Sequence, residues 1–168
     1  MHWPLHSHHF WLDVAAIIAL IALANYLARY KWPFILFVLP GTTAHELAHW
    51  IVALLFDGRP KPPSLWPRTA GPRWTLGEVV IRNPRWYNLV QIALAPLLLL
   101  PLAASIYRHW LQLHSFAHWQ HWLGLYLVAM LLYSSLPSRE DFGLLLRLRW
   151  PLLIIALIAS GLFIALRR

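Results

Sequence analysis

The chain has 168 residues, of which 60% are hydrophobic and 12% charged, with no cysteine and a formal charge of +8. Mean hydropathy is +0.54. Soluble domains carry about 25% charged residues, so this composition points away from that class and toward a membrane protein. Without cysteine there are no disulfides, no haem attachment and no thiolate metal ligands. The basic residues sit between apolar runs and form no single stripe, so nucleic acid is not the expected partner. Anionic lipid headgroups account for the charge.

Five apolar runs follow in order: Phe10–Tyr30, Trp32–Phe56, Tyr87–Tyr107, Trp122–Leu136 and Trp150–Leu166. Most approach the roughly 20 residues that a spanning helix needs, and the fourth is short. Tryptophan and tyrosine gather at the run ends, as interfacial anchors do. No Lys/Arg-bearing region precedes the first run, so a cleaved signal peptide is not expected. Asp57–Trp86 is rich in proline and arginine. Within it Val79, Val80 and Ile81 favour a strand, while Gly71 and Gly77 favour turns, so a short β-hairpin or loop at the membrane surface is expected. The stretch from Arg108 to His121 reads as an amphipathic interfacial helix. Arginine and lysine in the loops favour an N-inside orientation. The expected fold is an all-α polytopic membrane protein of about five transmembrane helices, forming a single domain over 1–168.

The second run carries an anomaly. His45-Glu46-Leu47-Ala48-His49 places three ionisable groups inside an apolar segment. A charged group at the bilayer centre costs about 2.5–3.5 kcal/mol on insertion scales, and such groups usually face an interior or a watery cavity and serve a function. On a helix, residues four apart share a face, so both imidazoles can reach one metal ion. Neutral imidazole is a good zinc ligand. Glu46 need not bind the ion, because it can take a proton from a water that the ion has made acidic. A competing reading uses no metal. Pro40-Gly41 would break the span, and Thr43-Ala44-His45-Glu46 would then cap a new helix, with Glu46 on a free backbone amide. That reading explains Glu46 but not the histidine spacing.

A catalytic zinc site usually has three protein ligands. The remaining acids are Asp13, Asp57, Glu78, Glu140 and Asp141. Asp13 sits at the far end of the first run, Asp57 with Gly58 ends the motif helix, and Glu78 lies in the surface loop. "LPSREDFG", Leu136 to Gly143, directly follows a run and is broken by Pro137. The motif sits roughly 20 Å into its own span at helical rise, and a chain unwinding at Pro137 can bring an acid to that depth. Asp141 is the expected third ligand, followed by Glu140 and then Glu78. Among the other histidines, His114, His118 and His121 are flanked by tryptophans and read as interfacial. His2, His6, His8 and His9 form a terminal His-rich tract.

These segments resemble the site-2 protease family of intramembrane zinc metalloproteases. "HELAHWIVALLFDGRP" looks like its zinc helix. "ALAPLLLLPLA", Ala93 to Ala103, is similar to a Gly-Pro motif on a later span, with Ala95 here before Pro96. "LPSREDFG" occupies the place of the Pro-containing motif ending in Leu-Asp-Gly, with different spacing. The loop between the second and third runs resembles the family's membrane-associated β element, and there is no PDZ-like insertion. The resemblance implies Zn2+ held by His45, His49 and Asp141, Glu46 as catalytic base, and membrane-embedded or membrane-proximal protein substrates. It also implies residence as a multi-pass protein of a prokaryotic plasma membrane. Asn88 is the one candidate for an oxyanion donor. The alternative is a non-enzymatic or degenerate metal-binding multi-pass membrane protein. Oligomeric state, substrate and pathway are not legible in the sequence.

Overall fold

The computed structural model describes residues 8–65, 68–70, 73–75 and 77–147. Within them helix dominates: α1 His8–Leu27, α2 Lys31–Leu55, α3 Trp86–Leu94, α4 Leu99–His109, α5 Trp119–Ser134 and α6 Arg139–Arg147. A 3-10 turn, Ala95–Leu98, joins α3 to α4. Two helical stretches are long and apolar enough to cross a membrane, Phe10–Leu27 and Trp86–His109. This is fewer than the five runs suggested. Helix α2 has the length, 25 residues, but carries the polar motif, and α5 has only 16. The run Trp150–Leu166 lies outside the described residues, as do His2, His6 and the side chains of His8 and His9.

Helix α2 corrects a second expectation. Pro40 lies inside it and does not divide it. Proline removes one backbone N–H and crowds the preceding turn, but neighbouring groups can compensate in an apolar setting. Here the Thr42 hydroxyl donates to the Val38 carbonyl at 3.2 Å, and the Tyr126 hydroxyl of α5 donates to the Phe37 carbonyl at 2.7 Å. Because the helix begins at Lys31, Thr43 and Glu46 sit in its interior, where no amide is free for a capping box. The capping reading of Glu46 therefore fails.

The helix ends as the sequence suggests. Asp57 adopts φ 53, a left-handed stop tolerated by aspartate, and Gly58 N–H donates to the Ala53 carbonyl at 2.7 Å. Beyond it the chain runs out and back. Pro60 bridges Ile81 and Ser64 bridges Glu78, both antiparallel, and Arg68–Ala70 pairs antiparallel with Arg73–Thr75. The stretch from Arg108 to His121 is not one helix: α4 ends at His109, a 3-10 turn covers Leu111–Leu113, and α5 starts at Trp119.

Small residues set the closest packing. The core includes Ala48 and Ala53 of α2, Ala93, Ala95 and Ala103 of the α3–α4 stretch, and Ala129 of α5. Such small side chains let helix backbones approach closely. Gly41 is the tightest point between α2 and α5. A Cβ there would lie 2.5 Å from the Met130 carbonyl oxygen and would collide with the Ser134 hydroxyl. Gly41→Ala is expected to force the helices apart and cost about 1–3 kcal/mol, the usual range for overpacking. Thermal unfolding of the purified protein measures it, with Ala22→Gly on exposed α1 as the control for a change of similar size.

Candidate metal centre

His45 and His49 point the same way from α2, and their Nε2 atoms are 3.1 Å apart. Their opposite ring nitrogens explain why. His45 Nδ1 lies 2.7 Å from the Ser134 carbonyl oxygen, and His49 Nδ1 lies 2.7 Å from the Ile92 carbonyl oxygen. A carbonyl can only accept, so both Nδ1 atoms carry the hydrogen. Each Nε2 of a neutral ring is then left with its lone pair.

Each carbonyl has a lone pair to spare, and each lies just before a proline. In a regular helix the Ile92 carbonyl would accept from the N–H of residue 96, but Pro96 has none. The chain tightens into the 3-10 turn, where Ala95 N–H reaches Ile92 O, and the second lone pair serves His49. Ser134 is the last residue of α5. Pro137 cannot donate to it, and the N–H of Ser138 is turned to Asp141 Oδ2 at 2.7 Å. The orphan carbonyl serves His45 instead.

Asp141 completes the group. Its Oδ1 is 3.4 Å from His49 Nε2 and its Oδ2 is 3.7 Å from His45 Nε2. A reciprocal cap fixes it: Ser138 N–H donates to Asp141 Oδ2, and Asp141 N–H donates to Ser138 Oγ at 3.1 Å. Ser138-x-x-Asp141 is thus the capping box that operates here, at the start of α6. Burial alone would raise the Asp141 carboxyl, but protonated His45 and His49, together with the Ser138 amide, hold it well below the usual carboxylate range; with neutral imidazoles the two Nε2 atoms face it as lone pairs.

Two imidazole lone pairs and a carboxylate therefore converge, all of them acceptors. A cation satisfies such a group. His45, His49 and Asp141 offer ligand atoms within 4.8 Å of one another and could hold a metal ion. Two ligands about 2.0–2.1 Å from one tetrahedral zinc lie about 3.3–3.4 Å apart, which the separations here bracket. The hydrogen-bonded Nδ1 atoms are the outer shell that metal-bound histidines require.

The structure places the other candidates differently. Glu140 and Glu78 are exposed, outside the group. Glu46 is buried, one residue round α2 from His45, and lies against Gly77, where a Cβ would collide with the Glu46 carboxylate. Asn88 is not free to serve as an oxyanion donor. Its amide donates to Phe56 O at 3.3 Å and Asn83 O at 2.9 Å, and its oxygen accepts from Arg85 N–H at 2.8 Å. It joins the end of α2 to the start of α3. Reading side chains alone misses the Ile92 and Ser134 carbonyls. Their sequence signals were Pro96 and Pro137, four and three residues downstream.

The described residues thus define a mostly helical protein with two possible membrane helices and a buried His/Asp group able to hold a metal ion. No family model, curated protein or solved structure matches the chain.

Removing both histidines, by His45→Ala with His49→Ala, is expected to abolish metal retention by protein that lacks the terminal histidines. Asp141→Ala should weaken it, and Glu140→Ala or Glu78→Ala should leave it unchanged. Pro96→Ala restores an N–H that competes for the Ile92 carbonyl, and should lower metal affinity about 10–100-fold, the usual effect of losing an outer-shell partner. Metal analysis of the purified variants, with a competing chelator, measures all of these.

Proposed function

We propose that this chain is a zinc metalloendopeptidase of the site-2 protease kind, acting on membrane-embedded or membrane-proximal protein segments. The observation that carries this reading is the convergence of three acceptors from His45, His49 and Asp141, beside a buried Glu46 that neither binds in that group nor caps a helix. We further propose a multi-pass membrane protein in which α2, α5 and the run Trp150–Leu166 join the two apolar helices as spans, with the segment 57–86 at the membrane surface. In that setting the ionisable groups would be turned inward from lipid, as intramembrane charges usually are.

His45, His49 and Asp141 would hold Zn2+, which when bound supplies Lewis acidity toward a carbonyl and toward water. Glu46 would accept a proton from water at its carboxylate and deliver it to the leaving amine nitrogen. The peptide C–N bond breaks as the new C–O bond forms, leaving a carboxylate and an amine. Substrate must present an extended backbone, because a helix hides its carbonyls. The segment 77–81 offers a place for it. Glu78 and Val80 direct backbone groups to Ser64 and Lys61, so Gly77 and Val79 direct theirs to the opposite edge, while one face of Gly77 rests on Glu46. An extended peptide pairing there would pass the proposed base.

Glutamine keeps the size of Glu46 but has no useful proton affinity near neutral pH. Glu46→Gln is therefore expected to retain zinc and thermal stability while cleavage of a helical membrane reporter falls at least about 100-fold. Undiminished cleavage by this variant would end the mechanism. If wild-type protein binds zinc yet cleaves no reporter, the non-enzymatic metal-binding reading takes its place.

A further inference from the structure

A second buried polar cluster lies away from the metal group. Asp13 of α1 and His121 of α5 are 5% and 3% exposed. His121 Nε2 is 3.0 Å from Asp13 Oδ1, and His121 Nδ1 is 2.9 Å from the His114 carbonyl oxygen. The Tyr107 hydroxyl of α4 donates to Asp13 Oδ2 at 3.1 Å. Both ring nitrogens are engaged, so His121 has no nitrogen left for a substrate. The cluster is not a catalytic dyad.

Its hydrogen count is constrained. The His114 carbonyl only accepts, so Nδ1 carries a hydrogen. The link between Nε2 and Asp13 then needs one more, whether it rides on nitrogen or on oxygen. The pair therefore holds one shared proton. Without it, a nitrogen lone pair and a carboxylate face each other at 3.0 Å with an unbalanced buried charge.

Helix α1 meets its neighbours through this link and a narrow apolar strip. Only 11% of its apolar window is buried. Ile17 and Ala24 are its buried apolar residues, beside Asp13, and Ala16, Leu20 and Ile21 pack partly buried against the core. On the proposed membrane reading, on which this inference rests, lipid solvates the rest of such a helix as well as protein does, so apolar area adds little to its docking.

We propose that Asp13, His121 and Tyr107 form a proton-dependent latch that seats α1 against α4 and α5. The seat holds while the pair keeps its shared proton and loosens when that proton is lost at high pH. The titratable groups facing His121 are Asp13 from α1, Tyr107 from α4 and His114 from the connection, whose own ring is turned to the Trp110 carbonyl. Arg108 and His109 at the end of α4, and His118 before α5, are exposed. The latch is independent of the metal group and of any proteolysis.

The chain has no cysteine, so introduced thiols are the only labelling sites. Spin labels at Ala22→Cys on α1 and Leu123→Cys on α5, both exposed positions, report the seating of α1 in neutral-phospholipid nanodiscs. Leu36→Cys on α2 with Leu123→Cys is the control pair. Distances are compared at about pH 6 and about pH 9.5, on either side of the ordinary histidine range. The expected result is one narrow α1–α5 distance at the lower pH. At the higher pH the undocked-to-docked ratio should rise at least about tenfold, or about 1.4 kcal/mol. The control distance should stay fixed. In Asp13→Asn the side-chain amide can donate to the unprotonated Nε2 and its oxygen can accept from Tyr107, so α1 should stay seated at both pH values. An unchanged wild-type distance at high pH overturns the latch. So does equal broadening in Asp13→Asn, or broadening of the control pair, which would mark general loosening.

Discussion

Two backbone carbonyls that lack their i+4 amide partners organise this molecule. Ile92 O and Ser134 O take the Nδ1 hydrogens of His49 and His45, each at 2.7 Å. That choice of tautomer turns both Nε2 lone pairs inward and makes the group one of acceptors alone. Proline creates both opportunities, by withholding an N–H at residue 96 and at residue 137. A residue with an N–H at 96 could satisfy Ile92 within its own helix and leave His49 to choose its partner.

The same economy of backbone groups recurs elsewhere. Around Pro40, Thr42 and Tyr126 supply hydrogens to carbonyls, and α2 continues as a single helix. At the far end of α2, Asn88 and Asn83 satisfy the carbonyls of Phe56 and Asp57, closing the base of the 57–86 segment. In a body this apolar, each unpaired polar group costs several kcal/mol if lipid surrounds it. Thr42, Tyr126, Asn83 and Asn88 are thus placed where they meet backbone carbonyls.

Packing and chemistry meet at glycines. Gly41 lets α5 approach α2 closely enough for the Ser134 carbonyl, one helical turn along, to reach His45. Gly77 lets the extended segment rest on Glu46. Under the proposed protease reading, these contacts hold a ligand and a base in register with the site where a peptide would lie. The Asp13–His121 pair does something different. It adds a polar fastening to a helix held by a narrow apolar strip.

The sequence by itself determined whatever depends on local spacing. His45 and His49 share a face because a helix repeats every 3.6 residues. The stop at Asp57-Gly58 follows from a similarly local rule, whereas Val79–Ile81, expected as a strand, forms only the isolated bridge of Ile81 to Pro60. It misled where local rules competed: Pro40-Gly41 suggested a break, but α2 runs through it unbroken, and Thr43 to Glu46 fitted a cap that has no helix end to serve. Only the tertiary structure decided which distant groups meet. His45 finds Ser134 across 89 residues, His49 finds Ile92 across 43, and His121 finds Asp13 across 108. It also set Asp141 in the group, left Glu140 outside it and committed Asn88 to backbone carbonyls. Such choices arise from the way whole helices cross, and a helix crossing is fixed by the summed packing of many small residues, which no short stretch of sequence encodes.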